Sequence, residues 1–244
     1  MSVAVRVGTS GYNYPEWRGS FYPAGLPAAA MLPFYAARLS TVEINATFYR
    51  MPTEKTVAGW AATTPPGFVF TLKVPQRITH MRRLRDVDEP LRLFCDVARH
   101  LGDKLGPLFF QLPPNFKKET GRLRDVLVQV PPALRCAFEF RHASWFADDV
   151  YDALRARDAA LCVADTEAGS TPDETTATWG YYRLRNIEYS DPQLAAWAAA
   201  LTRPGRREAF CYFKHEDAGT GPALAARLEA TLRRGPGATG GRGS

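Results

Sequence analysis

Charged side chains interrupt an apolar stretch in the middle of the chain, CAFEFRHASWF at residues 136–146. Successive side chains of a β-strand point to opposite faces, so Phe138 and Phe140 would share one face. Glu139 and Arg141 would then share the other face. A carboxylate can serve as a general acid or base, and a guanidinium can hold a carboxylate or a phosphate. The stretch therefore predicts a strand that presents ionisable groups to a pocket.

Polar residues alternate with apolar ones in the same way in other apolar stretches of the chain. The residues predicted to face inward are Glu43, Asn45, Thr47, Thr71, Lys73, Gln111, Asp165, Tyr181, Arg183 and Arg185. In the last stretch, either Tyr212 and Lys214 or Phe213 and His215 could face inward. If these stretches are strands of one sheet, their polar groups meet at one place and form a site.

The predicted inward set holds three acids and three bases, namely Glu43, Glu139, Asp165, Lys73, Arg141 and Arg183. An unpaired buried ion costs several kcal/mol, so these groups should pair with one another or meet water in an open mouth. Such a network with spare donors suits a polar or anionic ligand. The alternative is a salt-bridged layer that merely fills the interior.

Eight apolar stretches that are short enough for strands define the predicted fold. They lie at residues 3–10, 41–49, 68–74, 106–112, 135–140, 160–165, 180–185 and 208–214. Helical patterns separate most of them, whereas the polar segment between the sixth and seventh suggests no helix. Alternating strands and helices predict an α/β fold, and eight strands favour closure as a (β/α)8 TIM-type barrel in a single compact domain over residues 1–232. An open doubly wound sheet is less favoured, since the first strand lacks a G-x-G-x-x-G pattern after it.

Aromatic residues crowd the predicted loops that follow the strands. The loop SGYNYPEWRGSFYP follows the first strand, and further aromatic residues follow the second and fifth. Rings beside a polar pocket can stack on sugars or nucleobases, or they can plug the space under a long loop. The candidates for ligand contact are Tyr12, Trp17, Tyr49 and Trp145.

Composition restricts the class of protein. The formal net charge is +6, and three of these charges lie in a Gly/Arg-rich tail at residues 233–244, which we predict to be flexible. The four cysteines have no metal-like spacing, no signal-peptide pattern precedes the first strand, and no apolar run approaches the ~20 residues of a membrane helix. We therefore expect a cytoplasmic protein without membrane association, and we predict no cofactor.

The motifs GTSGYNYPEWRGSFYP, EINATFYRMPTEKTVAGW, FTLKVPQRITH, FFQLPPNF and FEFRHASWF resemble the successive motifs of the YecE-like proteins, catalogued as domain of unknown function 72. This resemblance implies a TIM-type barrel in the bacterial or archaeal cytosol and no established reaction. The family's polar positions fall on Glu43, Asn45, Lys73, Gln111, Glu139, Arg141, Asp165 and Arg183.

Two departures from the family pattern add ionisable groups near the predicted mouth. Arg185 and Asn186 stand where many relatives have His-Gly, and Lys214 and His215 stand where relatives tend to have two asparagines. Both departures favour a more negatively charged ligand.

The leading hypothesis is an enzyme that acts on a small anionic or polyhydroxylated substrate. Glu139, Glu43 and Asp165 are the candidate catalytic carboxylates, and Lys73, Arg141 and Arg183 would hold phosphate or carboxylate. A glycosidase is a narrower version that needs Glu43 and Glu139 ~5–9.5 Å apart across an open cleft.

Three alternatives stay open. Glu43, Glu139, Asp165 and His215 could converge in a metal-dependent isomerase or nuclease, although no strong metal signature is present. The basic balance and the aromatic loops suggest a nucleic-acid-binding protein. Ser10 with His80 or His142 could form a nucleophile and base, but no G-x-S-x-G motif supports this arrangement.

Overall fold

Eight parallel strands close into a barrel in the computed structural model, which describes residues 3–235. The barrel strands are β1 (Ala4–Ser10), β2 (Thr41–Ile44), β3 (Val69–Lys73), β4 (Leu105–Gln111), β5 (Cys136–Glu139), β6 (Ala160–Thr166), β8 (Trp179–Leu184) and β9 (Glu208–Phe213), and a two-residue strand β7 (Gly169–Ser170) lies outside the ring. Neighbours follow chain order from β1 to β6, then β8 and β9, and β9 pairs with β1 to close the ring. The predicted (β/α)8 barrel in a single domain is confirmed.

Helices follow every strand of the barrel except β6. They are α1 (Ala28–Ala36), α2 (Ala46–Tyr49), α3 (Glu54–Ala62), α4 (Asp88–Ala98), α5 (Thr120–Gln129), α6 (Asp148–Arg155), α7 (Asp191–Leu201) and α8 (Thr220–Arg234). After β6 the chain turns back, and β7 pairs with it in the antiparallel direction. The prediction that no helix follows the sixth strand is therefore confirmed.

Local capping interactions fix the starts of two of these helices. The Thr53 side chain accepts a hydrogen bond from the Thr56 amide at 3.2 Å at the start of α3. Ser190 and Gln193 form a reciprocal capping box at the start of α7. Such interactions satisfy amides that have no partner within the first turn of a helix.

The strands separate two apolar layers. Outward side chains such as Phe70, Phe110 and Phe138 pack against the helices in the larger core. Inward side chains such as Phe109 and Tyr212 form a second cluster inside the barrel. The interior below the mouth is thus packed with side chains, which is the usual state of a small barrel.

The second strand is shorter than the sequence suggests. We predicted it over residues 41–49, but β2 ends at Ile44 and the next residues form the single turn α2. Thr47 stabilises this turn, because its hydroxyl lies 3.0 Å from the Ile44 carbonyl and 2.6 Å from the Lys73 carbonyl. Asn45 and Thr47 therefore lie on a turn above the strand and not on its inner face.

The C-terminal helix α8 extends to Arg234 and so includes Arg233, both of which the sequence had placed in the flexible tail. Residues 236–244 of that tail lie outside the described residues. Between residues 3 and 235, no helix combines the length and the apolar character that crossing a membrane requires.

Candidate functional site

Arg183 joins two glutamates across the interior of the barrel near the carboxyl ends of the strands. Its Nη2 lies 2.9 Å from Oε1 of Glu43, and its Nη1 lies 2.6 Å from Oε2 of Glu139. All three side chains are buried. The Tyr181 hydroxyl donates a further hydrogen bond to Glu43 at 2.5 Å. These residues face inward as the strand alternation predicts.

Glu139 is the centre of this network. Its Oε1 accepts from Nε of Arg141 at 2.9 Å and from the amide of Gln111 at 2.8 Å, and Nη1 of Arg185 lies 3.7 Å away. Burial by itself would raise the pKa of Glu139, but Arg183 and Arg141 outweigh burial and hold it at about 2. Glu139 is therefore a fixed carboxylate at neutral pH and a poor general acid.

Lys73 extends the network from β3. Its Nζ donates to Oε1 of Gln111 at 2.9 Å and lies 4.1 Å from the centroid of the Phe48 ring. Burial lowers the pKa of Lys73 to about 8, with a further contribution from Arg183. Lys73 is thus the cation in this network that titrates near neutral pH.

His80 lies beside Lys73, on the short π-helical segment Arg77–Met81 that follows β3. Its ring packs edge-on against Phe48 with the centroids 4.9 Å apart. Burial lowers the pKa of His80 to about 4, and the positive charges of Lys73 and Arg141 contribute. His80 is consequently neutral at pH 7.

Positive charge exceeds negative charge at this place. The network contains the carboxylates of Glu43 and Glu139 and the cationic side chains of Lys73, Arg141, Arg183 and Arg185. Arg141 and Arg185 keep 33% and 25% of their side-chain surface exposed, so these two guanidinium groups lie at the open side. The arrangement favours a negatively charged ligand.

The glycosidase version of the hypothesis is wrong for this geometry. Two carboxylates that cleave a glycosidic bond must face each other across an open cleft. Here Arg183 occupies the space between Glu43 and Glu139 and contacts both. No sugar ring fits between them while these contacts persist.

Asp165 does not join the network, contrary to the prediction. It follows Leu161 and Val163 on β6, and both lie in the outer apolar layer. Its carboxylate accepts from the Tyr189 hydroxyl at 2.7 Å and from the Ser170 hydroxyl at 2.6 Å. These bonds connect Asp165 to the short strand β7 and to the segment before α7, away from the network around Arg183.

His215 is the second inward candidate that the structure places elsewhere. The ambiguity of the last strand is resolved because Tyr212 lies in the inner cluster and Phe213 in the outer one. Nε2 of His215 donates to the Asn186 carbonyl at 2.6 Å. Lys214 shares the inner face with Tyr212, and its Nζ lies 3.7 Å from Glu216.

The four ligands proposed for a metal ion do not converge. Arg183 bridges Glu43 and Glu139, and Asp165 and His215 lie outside the barrel. Within residues 3–235, no group of three or more His, Cys, Asp or Glu side chains is arranged to hold a metal ion.

The two candidate tryptophans are buried structural residues, contrary to the predicted ligand contact. Trp17 is fully buried and lies 4.9 Å from Tyr14 between ring centroids. Trp145 stacks on Phe140 at 4.7 Å, and its indole N–H donates to the Phe116 carbonyl at 2.7 Å. Neither ring can stack on a base or a sugar, so the nucleic-acid alternative loses these two of its four aromatic candidates.

The remaining candidates differ in position. Tyr49 is 73% exposed and packs edge-on against Phe48 at 5.1 Å. Tyr12 lies 6.3 Å from Tyr35 of α1 and so points toward the helices. The Asn45 side-chain oxygen is buried and has no hydrogen-bond partner within the described part of the chain.

Strand alternation did not predict two of the residues at the site, Tyr14 and Phe48. Tyr14 donates to the Ser10 carbonyl at 2.8 Å, and burial raises its pKa, with Glu216 and Glu43 adding to the effect. Phe48 contacts Lys73, His80 and Tyr49. Both follow strand ends, which is the signal that could have identified them.

Curated proteins from two bacteria are similar to part of the chain. The chain is 28% identical to the UPF0759 protein YecE of Escherichia coli K12 over 59% of this chain and 50% of that protein. It is 29% identical to the UPF0759 protein YunF of Bacillus subtilis over 61% of this chain and 54% of that protein. The chain thus spans about half the length of the curated relatives it matches.

A solved structure is similar over nearly the whole chain. The DUF72 family protein of Thermotoga maritima MSB8 superposes with a TM-score of 0.84 and 26% identity, covering 94% of this chain and 99% of that one. The family described as "Protein of unknown function DUF72" matches residues 6–241. The chain therefore belongs to the DUF72 family.

Proposed function

We propose that the protein is an enzyme that binds a small anionic substrate at the carboxyl-end mouth of the barrel. Lys73 replaces the glutamates as the group that exchanges protons. The observation that supports this proposal most is the surplus of guanidinium groups around Glu139. Two glutamates face three arginines and Lys73 in this network, so positive charge remains in excess, and the partly exposed Arg141 and Arg185 can present it to a ligand.

The charge of the site favours an anionic substrate over a neutral polyhydroxylated one. Guanidinium groups recognise carboxylate and phosphate with paired hydrogen bonds. Partial exposure keeps these groups accessible while the buried network beneath holds their positions. A neutral sugar would gain little from such a concentration of positive charge.

Carboxylate acid/base chemistry is the weaker version of this hypothesis. The pKa of Glu139 is held at about 2, so it neither donates nor usefully accepts a proton at neutral pH. The pKa of Lys73 is lowered to about 8, which is the range that suits proton transfer under physiological conditions.

Calorimetric titration with inorganic phosphate and with oxalate tests the proposal. We expect saturable binding that weakens as ionic strength rises. Arg141→Gln should weaken it about tenfold or more, since a charge-assisted pair is lost. Arg92→Gln is the matched control, because Arg92 forms an exposed pair with Asp96 on α4. Absence of saturable binding of both anions, or equal binding by Arg141→Gln, would overturn the proposal.

We also infer that the protein works in a reducing compartment. All four cysteines are buried and none forms a disulfide. Alkylation of the denatured protein directly in a cell lysate should modify all four thiols. Protection of a pair of them would contradict this inference.

A further inference from the structure

We propose that Lys73 is a Schiff-base lysine whose ε-amine condenses with the carbonyl carbon of a short 2-oxo acid, while Arg141 and Arg185 hold the substrate carboxylate. This inference rests on the proposed anion site and names its substrate class. It adds covalent chemistry at a particular atom.

The surroundings of Lys73 suit a nucleophilic amine. Its Nζ has the Gln111 amide oxygen as hydrogen-bond partner, and within residues 3–235 no carboxylate lies in salt-bridge range of it. The aromatic face of Phe48 covers one side of the ammonium group. Lysines in apolar surroundings or beside other cations are the ones activated as nucleophiles. At the pKa of about 8, about a tenth of Lys73 is the free amine at pH 7.

A carboxylate-binding group lies at the other end of the same hydrogen-bonded chain. Lys73 donates to Gln111, Gln111 donates to Oε1 of Glu139, and Arg141 donates to that same oxygen. This chain fixes the amine and the Arg141 guanidinium relative to each other. A molecule that carries both a carbonyl and a carboxylate offers one group to the amine and the other to the guanidinium.

Unsatisfied polar atoms mark the same region. Nε of Arg183 and Nε of Arg185 are buried and have no hydrogen-bond partner within the described chain, as is also true of the Asn45 side-chain oxygen. Buried polar atoms are normally paired with protein or water, so these atoms can accept either water or a polar group of a ligand.

The reaction balances without an oxidant or a reductant. The neutral Nζ attacks the carbonyl carbon, a C–N bond forms, and the carbonyl π electrons move to oxygen. Proton transfer from nitrogen to that oxygen gives a carbinolamine. A proton from solvent, equal to the one that the ammonium form released, then protonates the hydroxyl, and the C–O bond breaks with loss of water to leave a protonated imine. About a tenth of Lys73 is already the free amine at pH 7, and the proton that leaves the ammonium form passes to solvent.

Borohydride trapping tests the proposal on the full chain. The protein is incubated with pyruvate at pH 7.5, reduced with sodium borohydride, digested and mapped by mass spectrometry. We expect one reduced pyruvate adduct per chain, on Lys73, at a rate at least about tenfold above any other lysine. Lys117→Arg, at an exposed position, should label like the wild type, whereas Lys73→Arg should not label.

Labelling of Arg141→Gln by two carbonyl compounds tests whether Arg141 holds the substrate carboxylate. Arg141→Gln should reduce labelling by pyruvate about fivefold or more but leave labelling by neutral acetone unchanged, since acetone has no carboxylate. The peptide map of the wild type gives the answer even if a variant fails to fold. Labelling spread evenly over the lysines would overturn the proposal.

Failure of the Schiff-base proposal can be distinguished from failure of the proposed anion site. If phosphate and oxalate bind with the expected dependence on Arg141 and pyruvate leaves no adduct on Lys73, the Schiff base is wrong and the anion site stands. If the anions do not bind either, both proposals fail.

Discussion

Arg183 donates to Glu139 in the interior of the barrel, with 2.6 Å between Nη1 and Oε2 and only 1% of either side chain exposed. The other arm of the guanidinium holds Glu43 at 2.9 Å. One cation thus lies between two carboxylates, one on β2 and one on β5. This arrangement separates the glutamates and directs the remaining positive charge toward the mouth.

Removal of Arg183 should cost much of the stability. Arg183→Met leaves Glu43 and Glu139 buried without their shared partner, and breaking a buried ion pair in this way costs about 3–5 kcal/mol. The free energy of unfolding in urea at pH 7 measures the loss. Arg92→Met, which breaks an exposed pair on α4, should change it by about 0.5 kcal/mol or less. A loss below about 1 kcal/mol for Arg183→Met would contradict the role assigned to it.

Stability should fall in acid because of Glu139. Its pKa is about 2 in the folded protein and 4.5 ordinarily, so the folded state binds its proton more weakly. The stabilisation is complete above pH 4.5 and is lost as the pH falls toward 2, by about 3 kcal/mol in total. Urea unfolding at pH 5, 4 and 3 should show this slope, and Glu139→Gln should flatten it. An equal slope in both proteins would assign the acid sensitivity to other carboxyl groups.

Lys73 should be destabilising at neutral pH. Its folded-state pKa of about 8 lies below the ordinary 10.5, so the folded protein disfavours the ammonium form. Lys73→Met should therefore raise the free energy of unfolding at pH 7 by about 1 kcal/mol or more. Between pH 8 and 10.5, Lys73 is neutral in the folded wild type but still charged in the unfolded chain, so the wild type gains stability as the pH rises. The difference in unfolding free energy between the two proteins should therefore shrink by pH 10. If Lys73→Met is less stable than the wild type at pH 7, the contacts of the Lys73 side chain outweigh the cost of burying its charge.

Strand alternation explains why much of the site could be predicted from the sequence. Glu43, Lys73, Glu139 and Arg183 each alternate with large apolar residues, and the closed barrel brings their strand ends together. The same rule, applied fully, places Asp165 outside, because Leu161 and Val163 share its face. Its position at the end of a strand was misleading, since a strand end does not by itself define the direction of a side chain.

The aromatic residues could not be assigned from the sequence because their burial depends on distant partners. The indole N–H of Trp145 is satisfied by the Phe116 carbonyl, which comes from the loop after β4. Nothing in the local sequence around Trp145 indicates that contact. The sequence offered His80 only as a possible base for Ser10, because its place beside Lys73 depends on an irregular π-helical turn after β3.

Trp145 should therefore matter for stability and Tyr49 should not. Trp145→Ala removes a buried ring that stacks on Phe140 and should cost about 3–5 kcal/mol. Tyr49→Ala, at an exposed position, should change stability by about 0.5 kcal/mol or less. Thermal and urea unfolding measure both.

Trp fluorescence gives an independent check, because iodide should barely quench the two buried indoles of Trp17 and Trp145 in the native protein. Strong quenching from either residue, assigned with single Trp→Phe variants, would contradict its burial.

The pairing of β1 with β2 leaves no room for a side chain at Gly8. A Cβ at this position would lie 2.1 Å from the Thr41 carbonyl oxygen, a distance that the paired strands cannot accommodate without separating. Gly8→Ala should therefore destabilise the protein by several kcal/mol or prevent folding. Gly59→Ala is the matched control: it lies in α3 with nothing within 4 Å of the added Cβ, and it should stabilise by about 0.5–1 kcal/mol. Urea unfolding of both variants gives the test, and equal small effects would mean that β1 and β2 tolerate a wider separation than this contact allows.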